Sequence, residues 1–200
     1  MRLFTPSLLA AAAVMFCVAA HADTVSFVSS AATTTYGSSV TGSYAGTGTA
    51  AVQVTSPNAV YSTAQPGSSY ISTNAAGNQA VGTTYYSDSF TLLANQTYTG
   101  SVLFSADDFA SIFVNGTSVY TAQSNAQYLS AVNVALGSSA FTSGLNTITF
   151  ALTNTGGPGA IDFAGSLTGT NVTPEPSSLV LLGTGILGVA GAMRRRFLAA

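Results

Sequence analysis

The chain has 200 residues, 47% of them hydrophobic and only 5% charged, with a formal net charge of -2. Its four basic residues are Arg2, Arg194, Arg195 and Arg196, so no Lys or Arg stands between Leu3 and Met193. Phosphate contacts need cationic side chains, which argues against a nucleic-acid partner, while the apolar content and its patterning argue against a disordered chain.

The N-terminal 22 residues divide into three parts. Arg2 supplies a short positive start, Leu8 to Ala20 form an apolar run of 13 residues, and Ala20-His21-Ala22 is a small-x-small cleavage site. The run is shorter than the roughly 20 residues that span a bilayer. The segment 1–22 is therefore predicted to be a signal peptide, removed by signal peptidase to leave Asp23 as the new N-terminus. Bulky Phe16 before Cys17 argues against a lipoprotein anchor. Cys17 and His21 are the chain's one Cys and one His, and both fall inside this leader. A mature body thus has no disulfide, thiol nucleophile or imidazole.

From Asp23 to Thr173 the sequence alternates with period two and is punctuated by Gly, Asn, Ser and Pro, which is the pattern of strands. In Asn146 to Asn154, Ile148, Phe150 and Leu152 face one way, and Thr147, Thr149, Ala151 and Thr153 the other. Val132, Val134 and Leu136 repeat this, as do Ile161, Phe163 and Leu167 with Gly165 between. Ser111 to Tyr120 reads as a hairpin about Asn115-Gly116, a pair suited to the positive φ angles of a two-residue turn. Seven to nine such strands predict an all-β body, residues 23–173, folded as a β-sandwich. A parallel β-helix is the alternative, but no fixed short repeat is present. Phe104 to Gly116 and Gly144 to Gly157 resemble the strand–turn–strand and the late strand of jelly-roll, galactose-binding-like domains. The resemblance implies a jelly-roll-like sandwich, a fold that carbohydrate-binding modules use, without supplying a site.

Candidate chemistry in the body is sparse. Its charges are Asp23, Asp88, Asp107, Asp108 and Asp162. Asp107-Asp108 could contribute oxygens to Ca²⁺ or could simply be good residues for a turn entering a strand. Neighbouring strand residues point to opposite faces, so this pair alone does not make a glycosidase; partnering with Asp162 or Asp88 stays open. The nine tyrosines, Tyr85, Tyr86, Tyr120 and Tyr128 among them, could stack on sugars, although Trp is absent and core packing explains most of them. Thr33 to Thr35 and Thr47-Gly48-Thr49 are too irregular for an ice-binding array and read as a flexible or edge segment. Asn95-Gln96-Thr97 and Asn115-Gly116-Thr117 match the glycosylation sequon. No cofactor, metal site or enzymatic activity is expected. With no cation to pair with the carboxylates, little stability should be lost between pH 7 and about 4.

The last 27 residues again fall into three parts: Pro174-Glu175-Pro176, an apolar Gly-containing stretch over 177–193, and the Arg194-Arg195-Arg196 cluster. Such a stretch is at the lower limit of a membrane span, and the cations after it stop transfer on the cytoplasmic side. In this order the parts resemble the PEP-CTERM sorting signal, also catalogued as the ice-binding-protein C-terminal domain. The resemblance implies recognition of residues 174–200 by an exosortase, then release or transfer to the surface, in proteins that accompany exopolysaccharide and biofilm production. The expectation is an exported protein, membrane-anchored through a single C-terminal transmembrane helix before processing, with a structural role. The alternative is a carbohydrate-binding module for a surface polysaccharide.

Overall fold

A computed structural model describes residues 22–38, 48–123, 126–171 and 177–198. Two antiparallel sheets stack as a sandwich, as the alternation predicts. The strands of one sheet are β1 (Asp23–Val28), β4 (Val52–Gln53), β5 (Ile71–Ser72), β7 (Gln96–Ala106), β10 (Val132–Leu136) and β12 (Ile161–Asn171). They run in the order β10-β7-β12-β5-β4, with β1 also pairing β12. The facing sheet holds β2 (Thr35–Gly37), β3 (Thr49–Ala50), β6 (Gly82–Leu92), β8 (Phe109–Val114), β9 (Thr117–Tyr120) and β11 (Gly144–Asn154), in the order β3-β2-β6-β11-β8-β9. The strands number more than expected because β3, β4 and β5 are only two residues long.

The inward positions make one core. Val102, Phe104 and Ala106 of β7, and Ile161, Phe163 and Leu167 of β12, face Tyr86 of β6 and Ile148, Phe150 and Leu152 of β11. Phe150 and Phe163 stack across the sandwich with ring centroids 4.2 Å apart; aromatic pairs add about 0.5–1.5 kcal/mol beyond burial. Gly165 has a packing reason: a Cβ there would lie 2.2 Å from the ring of Phe27, which occupies that space and stacks on Phe90.

The β8–β9 hairpin turns at Asn115 and Gly116, with φ of 49° and 84°, as Asn-Gly suggests. On β11 the outward threonines depart from expectation, since Thr147 and Thr149 are as buried as the core residues. Their hydroxyls pair across the strands with Ser89 at 3.1 Å and Ser87 at 3.0 Å, and Thr153 pairs with Thr83 at 3.0 Å. The strand alternates chemistry, not exposure.

Eight connections cross between the sheets, and four of them define two ends. The β6–β7 and β10–β11 connections lie at the end where β1 begins and β12 finishes; the β7–β8 and β11–β12 connections lie at the other. Asp23 is the first residue of β1 and pairs Gly169. Ala22 is exposed, whereas Ala20 lies outside the described residues.

The C-terminal helix α1 (Ser177–Leu198) contains the expected 177–193 stretch but continues through Arg194, Arg195 and Arg196. Among the described residues, no helix is long and apolar enough to cross a membrane. The expected span is corrected to this extent: its glycines, Thr184 and the arginines in the same helix dilute its apolarity. Leu182, Ile186, Leu187, Val189 and Met193 on it are exposed. Pro174, Glu175 and Pro176 lie outside the described residues.

Candidate functional site

Asp107, Asp108 and Asp162, three of the five aspartates of the body, gather at the end bearing the β7–β8 and β11–β12 connections. The register explains this. Asp162 pairs Ser105, and both point away from Phe104 and Phe163, onto the outer face of the β7–β12 pair. Two residues beyond Ser105, Asp107 follows the same alternation. That outer face is not open to solvent, because residues 54–70 fold over it.

The covering segment is fastened by polar groups. Asp162 is fully buried, and its carboxylate accepts from Ser29 Oγ at 3.1 Å, from the Gln65 main-chain N–H at 2.8 Å and from Ser68 Oγ. Asp107 accepts from the Tyr61 hydroxyl at 2.7 Å. Ser62 Oγ meets Ser105 Oγ at 2.6 Å, and the Tyr70 hydroxyl donates to the Ser62 carbonyl at 3.0 Å. Tyr61 packs against Tyr70 and Tyr128, centroids 4.9 and 6.0 Å away. The Ser62 N–H donates to the Tyr128 carbonyl at 2.7 Å, which ties in the segment preceding β10. Val54, Tyr70 and Ala160 form a small second core beneath.

Burial sets the electrostatics. Desolvation pushes the Asp162 carboxyl above the ordinary carboxylate range, while its Ser68, Gln65 and Ser29 donors oppose the shift. Asp107 is raised for the same first reason, with Tyr61 opposing and Asp108 adding to it. The Tyr61 phenol is pushed up by desolvation and by the Asp107 carboxylate it donates to.

Asp107 and Asp108 sit in a turn between β7 and β8 and not on a strand. They face different partners: Asp108 accepts from the Thr155 N–H at 2.7 Å and the Thr155 hydroxyl at 2.5 Å. The turn reading describes what these side chains do. Among the described residues, no group of three or more His, Cys, Asp or Glu is placed to hold a metal ion. Asp107 and Asp162 lie under one covering segment; Asp88 belongs to the other sheet, where the Ser89 N–H donates to it at 3.0 Å. Tyr61, Tyr70, Gln65 and Ser68 escaped the sequence reading. Their segment has no periodicity, and Pro66-Gly67 marks only a turn.

Among the eight described tyrosines, Tyr70, Tyr86 and Tyr98 are buried and the others half-buried.

The family model of the PEP-CTERM protein-sorting motif matches residues 172–196. No curated protein matches the chain. Among solved structures, a family 35 carbohydrate-binding module from Clostridium thermocellum is similar at 14% identity and a TM-score of 0.43, covering 71% of this chain and 97% of that one. A CBM35 from Paenibacillus barcinonensis matches at 17% identity and 0.38, covering 70% and 95%. The carbohydrate-binding module CBM36, solved in complex with calcium and xylotriose, matches at 15% and 0.40, covering 72% and 98%.

Proposed function

We propose that this chain is an exported surface protein, sorted through its tail by an exosortase, whose β-sandwich body has a non-catalytic, structural role beside the cell's exopolysaccharide. The observation that carries the reading is the PEP-CTERM sorting motif over 172–196, directly after the last strand at Asn171. Signal peptidase cleavage after Ala22 leaves β1 whole, because Asp23 is its first paired residue. The exposed apolar side chains of α1 suit lipid contact while the tail awaits processing. Each proline of Pro174-Glu175-Pro176 fixes φ and removes a donor, which suits an extended segment held out to a membrane enzyme. The buried carboxylates of the body serve its fold, since hydroxyl and main-chain donors take up their oxygens.

The test replaces Pro174-Glu175-Pro176 by three alanines in a host that has an exosortase. The expected result is normal export and folding, with the tail retained in both envelope and medium fractions by mass. A variant trimmed and released like the parent would make the tail an ordinary anchor. Polysaccharide binding is a second role within this reading, favoured by an uncharged cleft at the end of the body from which the tail leaves.

A further inference from the structure

At the end where β12 finishes, a cleft of about 280 Å³ opens between the β6–β7 turn and the β10–β11 connection. None of its lining residues is charged. Leu93 and Phe141 offer apolar surface, and Ser138, Ser139 and Thr142 offer hydroxyls. The ring of Tyr98 stands in the wall with its hydroxyl committed: it donates to Asp23 at 2.7 Å and accepts from the Leu93 N–H at 3.1 Å.

Gln96, also lining the cleft, is the exception. Its Oε1 is the one buried side-chain polar atom without a hydrogen-bond partner among the described residues. Among the described residues every other buried side-chain nitrogen or oxygen is paired, Asp162 alone taking three donors. The neighbouring strand makes room for that oxygen, since a Cβ on Gly169 would fall 2.0 Å from it. The oxygen is sealed from solvent in the free protein and a buried acceptor left unpaired is costly, so a ligand whose entry turns the Gln96 amide toward the cleft breaks no bond and gains one.

These features select a ligand class. An ionic ligand finds no counter-charge and loses its hydration. A wholly apolar ligand leaves the hydroxyls and the Gln96 carbonyl unpaired. A neutral polyol with an apolar C–H face satisfies both, laying that face on Phe141 and Leu93 and donating a hydroxyl to Gln96 Oε1. The volume lies just below the range of about 300–1,000 Å³ that holds drug-sized ligands, which suits one ring. We infer that this cleft binds a single neutral sugar ring, presented as a terminal or exposed unit of a polysaccharide. The identity of the ligand rests on the polysaccharide reading above; the position of the site rests on the cleft.

The full chain is titrated calorimetrically with neutral trisaccharides of glucose, galactose and mannose, and with the corresponding uronic acids. Binding of at least one neutral sugar in preference to its uronic acid is expected. Gln96→Leu, which removes the acceptor at similar bulk, should weaken it about tenfold, the scale of one lost hydrogen bond. Ser139→Trp, at an exposed position in the mouth, should abolish it. Phe141 is left intact because it packs on Phe90. If both variants bind as the parent does, the sugar sits elsewhere, and this inference fails while the polysaccharide reading stands. Preference for the uronic acid likewise overturns it. If the parent binds no glycan, both fail.

Discussion

The two ends of the sandwich handle buried polarity in opposite ways. At the end covered by residues 54–70, carboxylates are buried without cations, yet Tyr61, Ser68, Ser29 and the Gln65 N–H donate to them. At the end where the chain leaves for its tail, the lining is uncharged and one buried carbonyl oxygen, on Gln96, has no donor. A saturated network holds a loop in place, whereas an unsaturated one asks for a partner. The greater density of titratable groups at the covered end therefore does not make it the binding end.

The contrast can be broken by mutation. The largest effect is expected from Asp162→Ala, which strands three donors under the covering segment. Each unpaired buried group costs about 1–3 kcal/mol, so a loss of roughly 3 kcal/mol in denaturant unfolding is expected. A loss below about 1 kcal/mol would mean that residues 54–70 are not fastened there. Tyr61→Phe leaves the Asp107 carboxylate without its donor and should cost about 1–2 kcal/mol. A double-mutant cycle with Asp107→Asn should show strong coupling; additivity would contradict the contact.

Acid sharpens the comparison with a sign. Burial raises the carboxyls of Asp162, Asp107 and Asp88, so the folded state binds protons more readily than the unfolded one. Stability is then highest below the ordinary carboxylate pKa of about 4 and is lost as pH rises through the raised values. The melting temperature should rise as pH falls from 7 towards 4. A fall over that window would show that the carboxylates are held in their charged form, as a bound cation would do. The smallest effect belongs to the other end. Gln96→Leu exchanges a side chain whose buried oxygen is unpaired for an apolar one and should leave stability within about 0.5 kcal/mol or raise it. A cost like that of Tyr61→Phe would erase the difference between the ends.

What the sequence made legible is what local pattern controls. Ile148, Phe150 and Leu152 face the core, Asn115-Gly116 turns the hairpin, and the sandwich follows from the alternation. The tail was read from the order of its parts and is matched as a sorting motif. What stayed hidden depends on distant contacts. Asp162 meets Gln65 and Ser68 across more than ninety residues of chain, and nothing periodic announces either partner. The burial of Thr149 comes from pairing with Ser87 across β6 and β11, which hydropathy alone reads as an exposed face. The Gln96 oxygen shows only by the donor it lacks, and a sequence does not display that.

The reading as a sorted surface protein turns on what remains of the chain after export. Intact-mass measurement of the protein from envelope and medium decides it. A mature form beginning at Asp23 and lacking Arg194 to Arg196 in an exosortase-bearing host, with those arginines retained when the exosortase is deleted, is the expected result. A surface form that keeps the arginines in both hosts, or still begins at Met1, would contradict it.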